Sequence, residues 1–480
     1  MKLALILPPI TLEERYNRAI SYVAGSLPPL GLLSIATVLK NSGHEVILLD
    51  GSLLTLSDIM ARIEGFSPDI AGITAMTIMW PKVKMLSARL KKRSPSLNII
   101  VGGVHASIVK EGALSELPDI DAVAWGEGEF SLLEYLHNFP GLESAGPIAG
   151  IAYRLKNGDI VVGPEREPIK DLDILPIPDR SFVELKKYTG AFEQYKFLPV
   201  TNMVTARGCP FKCTFCLPDL LGEGVRYRSV ENVMREIKYL VEGLGVRDIA
   251  FWDDTFTLSP QRVFSLCESM ISEGIRFSWS CQGRADCVGP DMLKIMAKAG
   301  CWKIFYGVES LVQKNLDTLR KGETVEQIFK AVGMTKNAGI EVEASFILGI
   351  PGETYQDGIR TITLAKKLDP DYAKFYYLSP YGELKKEVKK YGCFLSDNET
   401  SFTGSTIIFV PYSMTKEELR SLYNKAYLGF YLRPKMFLRR LRKSFRAAEL
   451  KKSFLGLFVL STFLIDYLNT FFKRQAGSHK

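Results

Sequence analysis

The chain has few cysteines and few histidines for its length, with eight and four respectively in 480 residues. Eight cysteines are too few for a disulfide-stabilised scaffold, which indicates a reducing compartment. The first apolar run is short, is followed by two prolines and has no small-residue cleavage site, so we expect a first core strand there and not a secretory signal peptide. We therefore expect a cytoplasmic protein.

Strong charge of one sign is also absent from most of the chain. The formal net charge is +8, but residues 433–452 hold nine basic residues and one acid, so the other 460 residues sum to zero. This distribution argues against a nucleic-acid partner. With 46% apolar and 24% charged residues, the composition is that of a globular protein, and the length predicts about three domains.

Residues 1–140 alternate short apolar runs with amphipathic segments. Strands are predicted at residues 3–7, 45–49, 69–74, 98–103 and 121–126. A helix is predicted after each strand, including one near residues 107–117. Five β/α units in succession predict a doubly wound parallel sheet of the Rossmann or flavodoxin type. Ligands of such sheets bind beyond the carboxyl ends of the strands. Ordinary helix caps are the alternative explanation for the glycines found there.

A second β/α series follows a linker. Residues 141–195 contain a predicted hairpin around Asn157-Gly158 and a segment rich in proline and aspartate. Residues 196–385 contain six predicted strands separated by helices, which indicates an open, partial (β/α)6 barrel with its active site at the carboxyl ends of the strands. Residues 386–480 are predicted to form a helical C-terminal region.

Three cysteines lie close together directly after the first barrel strand, at Cys209, Cys213 and Cys216. Three thiolates on one loop can converge on one inorganic centre. A structural zinc site is the alternative, but it normally needs a fourth protein ligand, and the four histidines are all remote in sequence. The spacing therefore favours a [4Fe-4S] cluster with one iron left open.

This motif resembles that of the radical S-adenosylmethionine (radical SAM) enzymes, and the resemblance extends over about residues 200–385. It implies that the open iron binds SAM and that cleavage of SAM yields a radical that abstracts hydrogen from an unactivated carbon. The implied SAM-binding residues are Phe215 beside the adenine, Asp253 and Asp254 at the amino group, Glu309 near the ribose and carboxylate, and Gly349 in the strand that supports the adenine. The alternative for Asp253 and Glu309 is that they are surface carboxylates at strand ends without a binding role.

The N-terminal sheet resembles the cobalamin-binding domain that precedes the barrel in the cobalamin-dependent group of these enzymes. The Asp-x-His-x-x-Gly pattern that supplies a histidine to cobalt is missing, so the resemblance implies cobalamin without a histidine on its lower face. The positions at the strand ends that we assign to cobalamin are Pro9, Gly51, Ser52, Thr74, Gly102, Gly103, His105, Gly126 and Glu127.

The two resemblances imply cobalamin-dependent C-methylation, with an electron donor such as flavodoxin or ferredoxin. Radical cyclisation, rearrangement or carbon-carbon coupling without methyl transfer is the enzymatic alternative. A membrane-tethered iron-sulfur or cobalamin sensor is the alternative from another class. Tyr306, Tyr376 and Tyr377 either line the substrate side of the barrel or pack in its core.

The end of the chain has the composition of a membrane-associating segment. Residues 453–472 include a single charged residue, Asp466, and they follow the basic residues of 433–452. Because Asp466 would be costly at the centre of a bilayer, we expect a helix at the inner face of the membrane and a lipid or isoprenoid-like small-molecule substrate. A spanning helix and a buried core helix are the alternatives.

Overall fold

The structure is a computed structural model that describes residues 1–16, 18–191, 193–217, 220, 222–380, 382–395, 403–443 and 461–462. Its first sheet has seven strands: β1 (Lys2–Leu7), β2 (Glu45–Asp50), β3 (Ile70–Thr74), β4 (Asn98–Gly102), β5 (Ala122–Ala124), β6 (Ile151–Arg154) and β7 (Ile160–Val162). Their order is β2-β1-β3-β4-β5-β6-β7, and the first five in the chain are parallel. The predicted doubly wound sheet is confirmed.

Helices cover both faces of this sheet. They are α1 (Leu12–Arg15), α2 (Arg18–Ser21), α3 (Leu30–Asn41), α4 (Leu56–Phe66), α5 (Trp80–Arg93), α6 (Val104–Val109), α7 (Gly112–Glu116) and α8 (Gly128–Asn138). Apolar side chains of α3 and α8 pack on one face, and those of α4 to α7 pack on the other. Ligand-binding positions at the strand ends therefore lie between two helical layers.

Two details differ from the sequence prediction. The helix predicted near residues 107–117 is divided into α6 and α7, because Lys110 adopts a left-handed backbone conformation with φ of 48°. The hairpin predicted within the linker joins the first sheet, where β6 pairs antiparallel with β5. The edge of β5 is thereby paired, and the first structural unit extends to Val162 rather than ending near residue 140.

The second sheet is the predicted open barrel. Its strands are β8 (Val200–Met203), β11 (Asp248–Phe251), β12 (Ser278–Gly283), β13 (Cys301–Glu309), β14 (Glu341–Leu348) and β15 (Tyr372–Tyr377), and a two-stranded ribbon of β9 (Ala206–Arg207) and β10 (Arg226–Tyr227) follows β8. The six main strands are parallel and neighbour one another in chain order. The helices are α9 (Val230–Lys238), α10 (Pro260–Ser272), α11 (Pro290–Lys298), α12 (Gln313–Thr318), α13 (Val325–Asn337) and α14 (Tyr355–Leu368).

Alternate residues of the barrel strands face opposite sides. Tyr306 and Tyr377 are buried in the core between the strands and the outer helices. Successive side chains of a strand point to opposite faces, so Phe305, Ser345 and Tyr376 face the barrel interior. Of the three tyrosines that the sequence offered as substrate-lining residues, only Tyr376 is placed for that role.

The C-terminal region completes the barrel core. It contains α15 (Gly382–Glu387), β16 (Gly392–Phe394), β17 (Phe409–Pro411), α16 (Lys416–Tyr431) and α17 (Pro434–Lys443). Tyr427 and Phe430 of α16 pack on Phe375 of β15, with ring centroids 5.4 and 6.4 Å away. Residues up to Met436, which is buried, therefore belong to the barrel and not to a separate tail.

The basic block of the C-terminal region begins within this folded part. Arg433, Lys435 and Arg439 surround Asp369 at the end of α14, with nitrogen to oxygen distances of 3.4, 2.8 and 2.7 Å. No helix in the described part of the chain has the length and apolar character needed to cross a membrane. The apolar run of residues 453–472 lies outside the described residues, except for residues 461–462.

Candidate active site

The three clustered cysteines lie on the loop that follows β9. Cys213 is buried, Cys209 is half-buried and Cys216 is exposed. The backbone N–H of Cys216 donates to the carbonyl of Cys213 at 3.1 Å, and that of Thr214 donates to Leu319 at 3.0 Å. The loop is therefore turned on itself and held against the end of α12, so that all three thiols project from one short segment.

The electrostatics of the thiols show that they are neighbours. Burial raises the pKa of Cys213. Although the Cys216 residue is exposed as a whole, desolvation by the surrounding loop raises the pKa of its thiol to about 11, and repulsion from the other cysteine thiols adds to both shifts. Within the described residues, no three cysteine, histidine or acidic side chains are arranged to hold a single metal ion. A donor set of three thiols on one loop suits a polynuclear iron-sulfur cluster.

Arg284 contacts this loop and was not identified from the sequence. Its Nη1 donates to the Cys213 sulfur at 3.8 Å, and its guanidinium lies over the ring of Phe211 at 3.5 Å from the centroid. Asp286 holds the same guanidinium with two hydrogen bonds of 3.0 Å. A fixed positive charge beside a ligand thiol stabilises negative charge on the sulfur. A single arginine after a strand gave no distinctive sequence signal.

The two aspartates after β11 have different environments. Asp253 is buried, and its Oδ1 accepts hydrogen bonds from the backbone N–H groups of Thr205 and Ala206 at 2.5 and 3.2 Å, while its Oδ2 accepts from the Thr205 hydroxyl. These contacts give Asp253 a structural role at the end of β8 and do not support the predicted role at the SAM amino group. Asp254 lines a cavity, so it is the better candidate of the pair.

Glu309 lies at the end of β13 in a strained and desolvated position. Its φ is 63°, and its side chain is beside Lys321 and Glu323. Burial raises the pKa of Glu309 to about 7, and the Glu323 carboxylate adds to the shift, whereas Lys321 opposes it. Strain and a perturbed carboxyl at the carboxyl end of a barrel strand are typical of a ligand-binding position.

Phe215 and Gly349 lie near one another through a small apolar cluster. Phe215 packs against a group that includes Leu319 and Ile347, and Ile347 is on β14 two residues before Gly349. The N–H of Gly349 donates to the Glu353 carboxylate at 2.6 Å. The structure thus brings together the two positions assigned to adenine, and it shows that Glu353, which sequence reasoning did not assign a role, supports this turn.

A cavity of about 360 Å³ lies between the carboxyl ends of the first sheet and the start of the cysteine loop. Five of the nine positions predicted for cobalamin line it: Thr74, Gly102, Gly103, Gly126 and Glu127. The barrel contributes Ala206, Arg207, Trp252 and Asp254. Glycines expose their backbone to the cavity here, which allows close approach of a large ligand.

The other four predicted positions do not line the cavity. A Cβ on Gly51 would lie 2.4 Å from the backbone nitrogen of Pro9, so Gly51 allows two loops to pack closely. Ser52 follows it, and its N–H donates to Asp50 at 2.8 Å. His105 is buried against Trp80, with ring centroids 4.4 Å apart. These contacts indicate packing roles for Pro9, Gly51, Ser52 and His105.

Ion pairs between buried carboxylates and partly buried arginines connect the two sheets at the cavity. Arg207 pairs with Glu127 and Glu129 at 2.7 and 2.6 Å, and Arg226 pairs with Glu127 at 2.9 Å. Ser34 of α3 also donates to Glu129 at 2.7 Å. Glu127 therefore joins the sheets, a role that differs from the cobalamin contact assigned to it. Sequence reasoning missed both arginines because their partners are about 80 to 100 residues away.

The residues around the cavity and the loop fit the cofactors that the sequence implies. The carboxyl ends of the first sheet provide backbone at glycines and the hydroxyl of Thr74, and α3 provides the hydroxyl of Ser34. No histidine is among the described residues of the lining. The loop provides three thiols, with a cation at Cys213 and the Thr255 hydroxyl 3.8 Å from the Cys209 sulfur. The first set lines the cavity between the two sheets, and the cysteines follow Arg207, which lines the same cavity.

Comparison with known families agrees with this architecture. Residues 203–365 match the model of the radical SAM superfamily, and residues 18–136 match that of the B12-binding domain. An uncharacterized methyltransferase of Pyrococcus horikoshii is 34% identical over 445 residues, which cover 92% of this chain and 94% of that protein.

Two further similarities extend over most of the chain. The anaerobic magnesium-protoporphyrin IX monomethyl ester cyclase of Rubrivivax gelatinosus is 29% identical over 435 residues, covering 88% of this chain and 77% of that protein. The solved structure of the cobalamin-dependent SAM radical enzyme OxsB with aqua-cobalamin bound has a TM-score of 0.69 at 17% identity, covering 96% of this chain and 75% of that one. The latter similarity concerns the fold.

The first prediction concerns the pH dependence of stability at Glu309. The folded protein holds this carboxyl with a pKa near 7 instead of 4.5, so ionisation destabilises the fold, fully above pH 7 and progressively less as the pH falls towards 4.5. Glu309→Gln should stabilise the cofactor-free protein by on the order of 2–3 kcal/mol at pH 8 and by little at pH 5. Melting temperatures across this range measure the difference. The exposed Glu326→Gln is the control, and an equal effect of both substitutions at pH 8 would refute the assignment.

Proposed function

Because the chain belongs to the radical SAM superfamily and has the B12-binding domain of its cobalamin-dependent group, we propose that it methylates an unactivated carbon of a lipid or isoprenoid-like substrate. It is a radical SAM enzyme that uses a [4Fe-4S] cluster, SAM and cobalamin. The main support for methyl transfer is the cavity, whose walls come from both the first sheet and Ala206-Arg207, two residues before Cys209.

When bound, SAM and the cluster supply a hydrogen-abstracting radical, and cobalamin supplies the methyl group. The residues of the chain would hold and orient these groups. We assign the cluster to Cys209, Cys213 and Cys216, with Arg284 beside Cys213 as a positive charge. We assign the SAM adenine to Phe215 and the turn at Gly349, and its polar end to Asp254 and Glu309.

The cobalamin ring would lie against the part of the cavity wall that Thr74, Gly102, Gly103 and Gly126 form. The apolar side chains of Leu30, Ile35, Leu172 and Leu175 form much of the remaining wall. Such a wall excludes water from the space in which a substrate carbon radical would receive the methyl group. The ion pairs of Glu127 with Arg207 and Arg226 keep the two walls together.

Radical cyclisation without methyl transfer is the second candidate. It is favoured by the similarity to the Rubrivivax cyclase, which is 29% identical over 88% of this chain. Reaction with SAM that has a deuterated methyl group distinguishes the two outcomes, because only methyl transfer places the label in the product.

The composition of the C-terminal segment supports a substrate at the inner face of a membrane. Arg433, Lys435 and Arg439 are held at Asp369, so only part of the basic block is available for lipid headgroups. Residues 444–480 still include Arg446, Lys451 and Lys452 before the apolar run and Lys473-Arg474 after it. Basic residues near an anionic surface each contribute about 1 kcal/mol.

The second prediction tests the cluster ligands. Cys213→Ala should abolish cluster assembly, since two thiolates hold the cluster incompletely, while the fold is retained because the loop lies outside both sheets. Iron and sulfide content after anaerobic reconstitution, together with 5'-deoxyadenosine formation from SAM, measures the effect. Cys393→Ala, at an exposed position in β16, is the control and should keep full iron content. Wild-type iron content and SAM cleavage in Cys213→Ala would contradict the proposal.

The third prediction concerns membrane contact. A chain truncated after Lys443 keeps α17, including the buried Met436 and the Asp369 ion pairs, whereas truncation after Arg433 would remove part of the barrel core. The truncated protein should no longer sediment with phosphatidylglycerol vesicles but should still cleave SAM. Phosphatidylcholine vesicles are the control for charge. Loss of the cluster on truncation, or unchanged sedimentation, would remove the support for a membrane substrate.

A further inference from the structure

The surface beside the cysteine loop has a concentration of positive charge that the chemistry of the site does not use. Lys212, within the loop, is exposed, as are Arg320 at the end of α12 and Lys386, Lys389 and Lys390 in and after α15. We name these five residues the lysine face. Cys216 is exposed on the same loop as Lys212.

A small apolar cluster brings these segments together. The backbone carbonyl of Leu319 accepts a hydrogen bond from the N–H of Thr214, and this contact holds the neighbouring Arg320 next to the cysteine loop. Leu319 also belongs to the same buried cluster as Leu384 and Val388, and Phe215 packs against that cluster. The exposed lysines that lie between Leu384 and Val388 or directly after Val388 are therefore on the surface beside the cysteine loop.

Four charges of the lysine face, those of Arg320, Lys386, Lys389 and Lys390, are available to a partner. Within the described part of the chain, Arg320, Lys386, Lys389 and Lys390 make no ion pair, whereas Lys212 is paired with Glu223 at 3.9 Å. Residues 385–390 alone contain four lysines and one glutamate, whereas the chain outside residues 433–452 is neutral in sum. A local excess of this kind steers an oppositely charged partner to one place on the surface.

We propose that the lysine face is the docking site of a small acidic one-electron carrier of the flavodoxin or ferredoxin class. The inference rests on the proposed function, because reductive cleavage of SAM consumes one electron that must come from outside the chain. The carrier loses that electron and the cluster gains it, with no bond formed or broken at the docking site. Proximity to Cys216 gives the electron a short path to the cluster.

The test measures reduction of the reconstituted holoenzyme by flavodoxin hydroquinone in a stopped-flow instrument at several salt concentrations. The variant Lys386→Glu/Lys389→Glu/Lys390→Glu should lower the second-order rate constant about tenfold or more at low salt and weaken its salt dependence. Arg320→Glu, on a different element, should lower it in the same direction. Reduction by dithionite should remain unchanged in both.

The matched control reverses three exposed charges on α5 of the first sheet, Lys84→Glu/Arg89→Glu/Lys92→Glu, and should stay within about twofold of wild type. Equal slowing by both triple variants, or unchanged reduction by the Lys386 triple, would overturn the docking site. Loss of vesicle or nucleic-acid binding without slower reduction would also overturn it and assign the face to that polyanion. Absence of SAM cleavage with dithionite in the wild type would instead refute the proposed function.

Discussion

The arrangement of the molecule depends on the ion pairs between buried carboxylates and partly buried arginines that join the carboxyl edges of its two parallel sheets. Glu127 and Glu129 follow β5 of the first sheet, and Arg207 and Arg226 form the ribbon that begins the barrel. Removal of both arginines would leave two buried carboxylates without compensation, and the cost for one uncompensated buried charge is about 3–5 kcal/mol. Since Arg207 is two residues before Cys209, the same contact positions the cysteine loop against the cavity.

The site is built from groups that destabilise the fold in the absence of ligands. Burial raises the pKa of Glu309 to about 7, and Glu309 has a strained backbone. Cys213 is buried beside Arg284, whose charge suits a thiolate ligand. Such features are typical of positions where function, and not stability, determines the residue. The hydrogen-bonded Asp253 shows the opposite case, a motif residue whose contacts hold two strands together.

Hydrophobic periodicity and the spacing of the cysteines were sufficient to predict both sheets, the order of the units and the placement of the three cysteines on one loop. Each of these features depends on local sequence. Contacts across long stretches of chain were not predictable in this way. Glu127 and His105 both follow strands of the first sheet, yet one pairs with Arg207 and the other packs on Trp80. Likewise, the sequence placed the hairpin of β6 and β7 in a linker. Its pairing with β5 was not predictable, because it depends on the free edge of β5, which exists only in the assembled sheet.

The central claim is that the cavity between the sheets holds cobalamin close to the cluster. The most direct measurement is electron paramagnetic resonance of the protein loaded with cob(II)alamin, before and after reduction of the cluster. We expect no nitrogen splitting from a protein histidine, and we expect the cobalt signal to broaden by through-space coupling once the cluster is reduced. Nitrogen splitting that disappears in His105→Ala, together with a cobalt signal that is insensitive to cluster reduction, would contradict it.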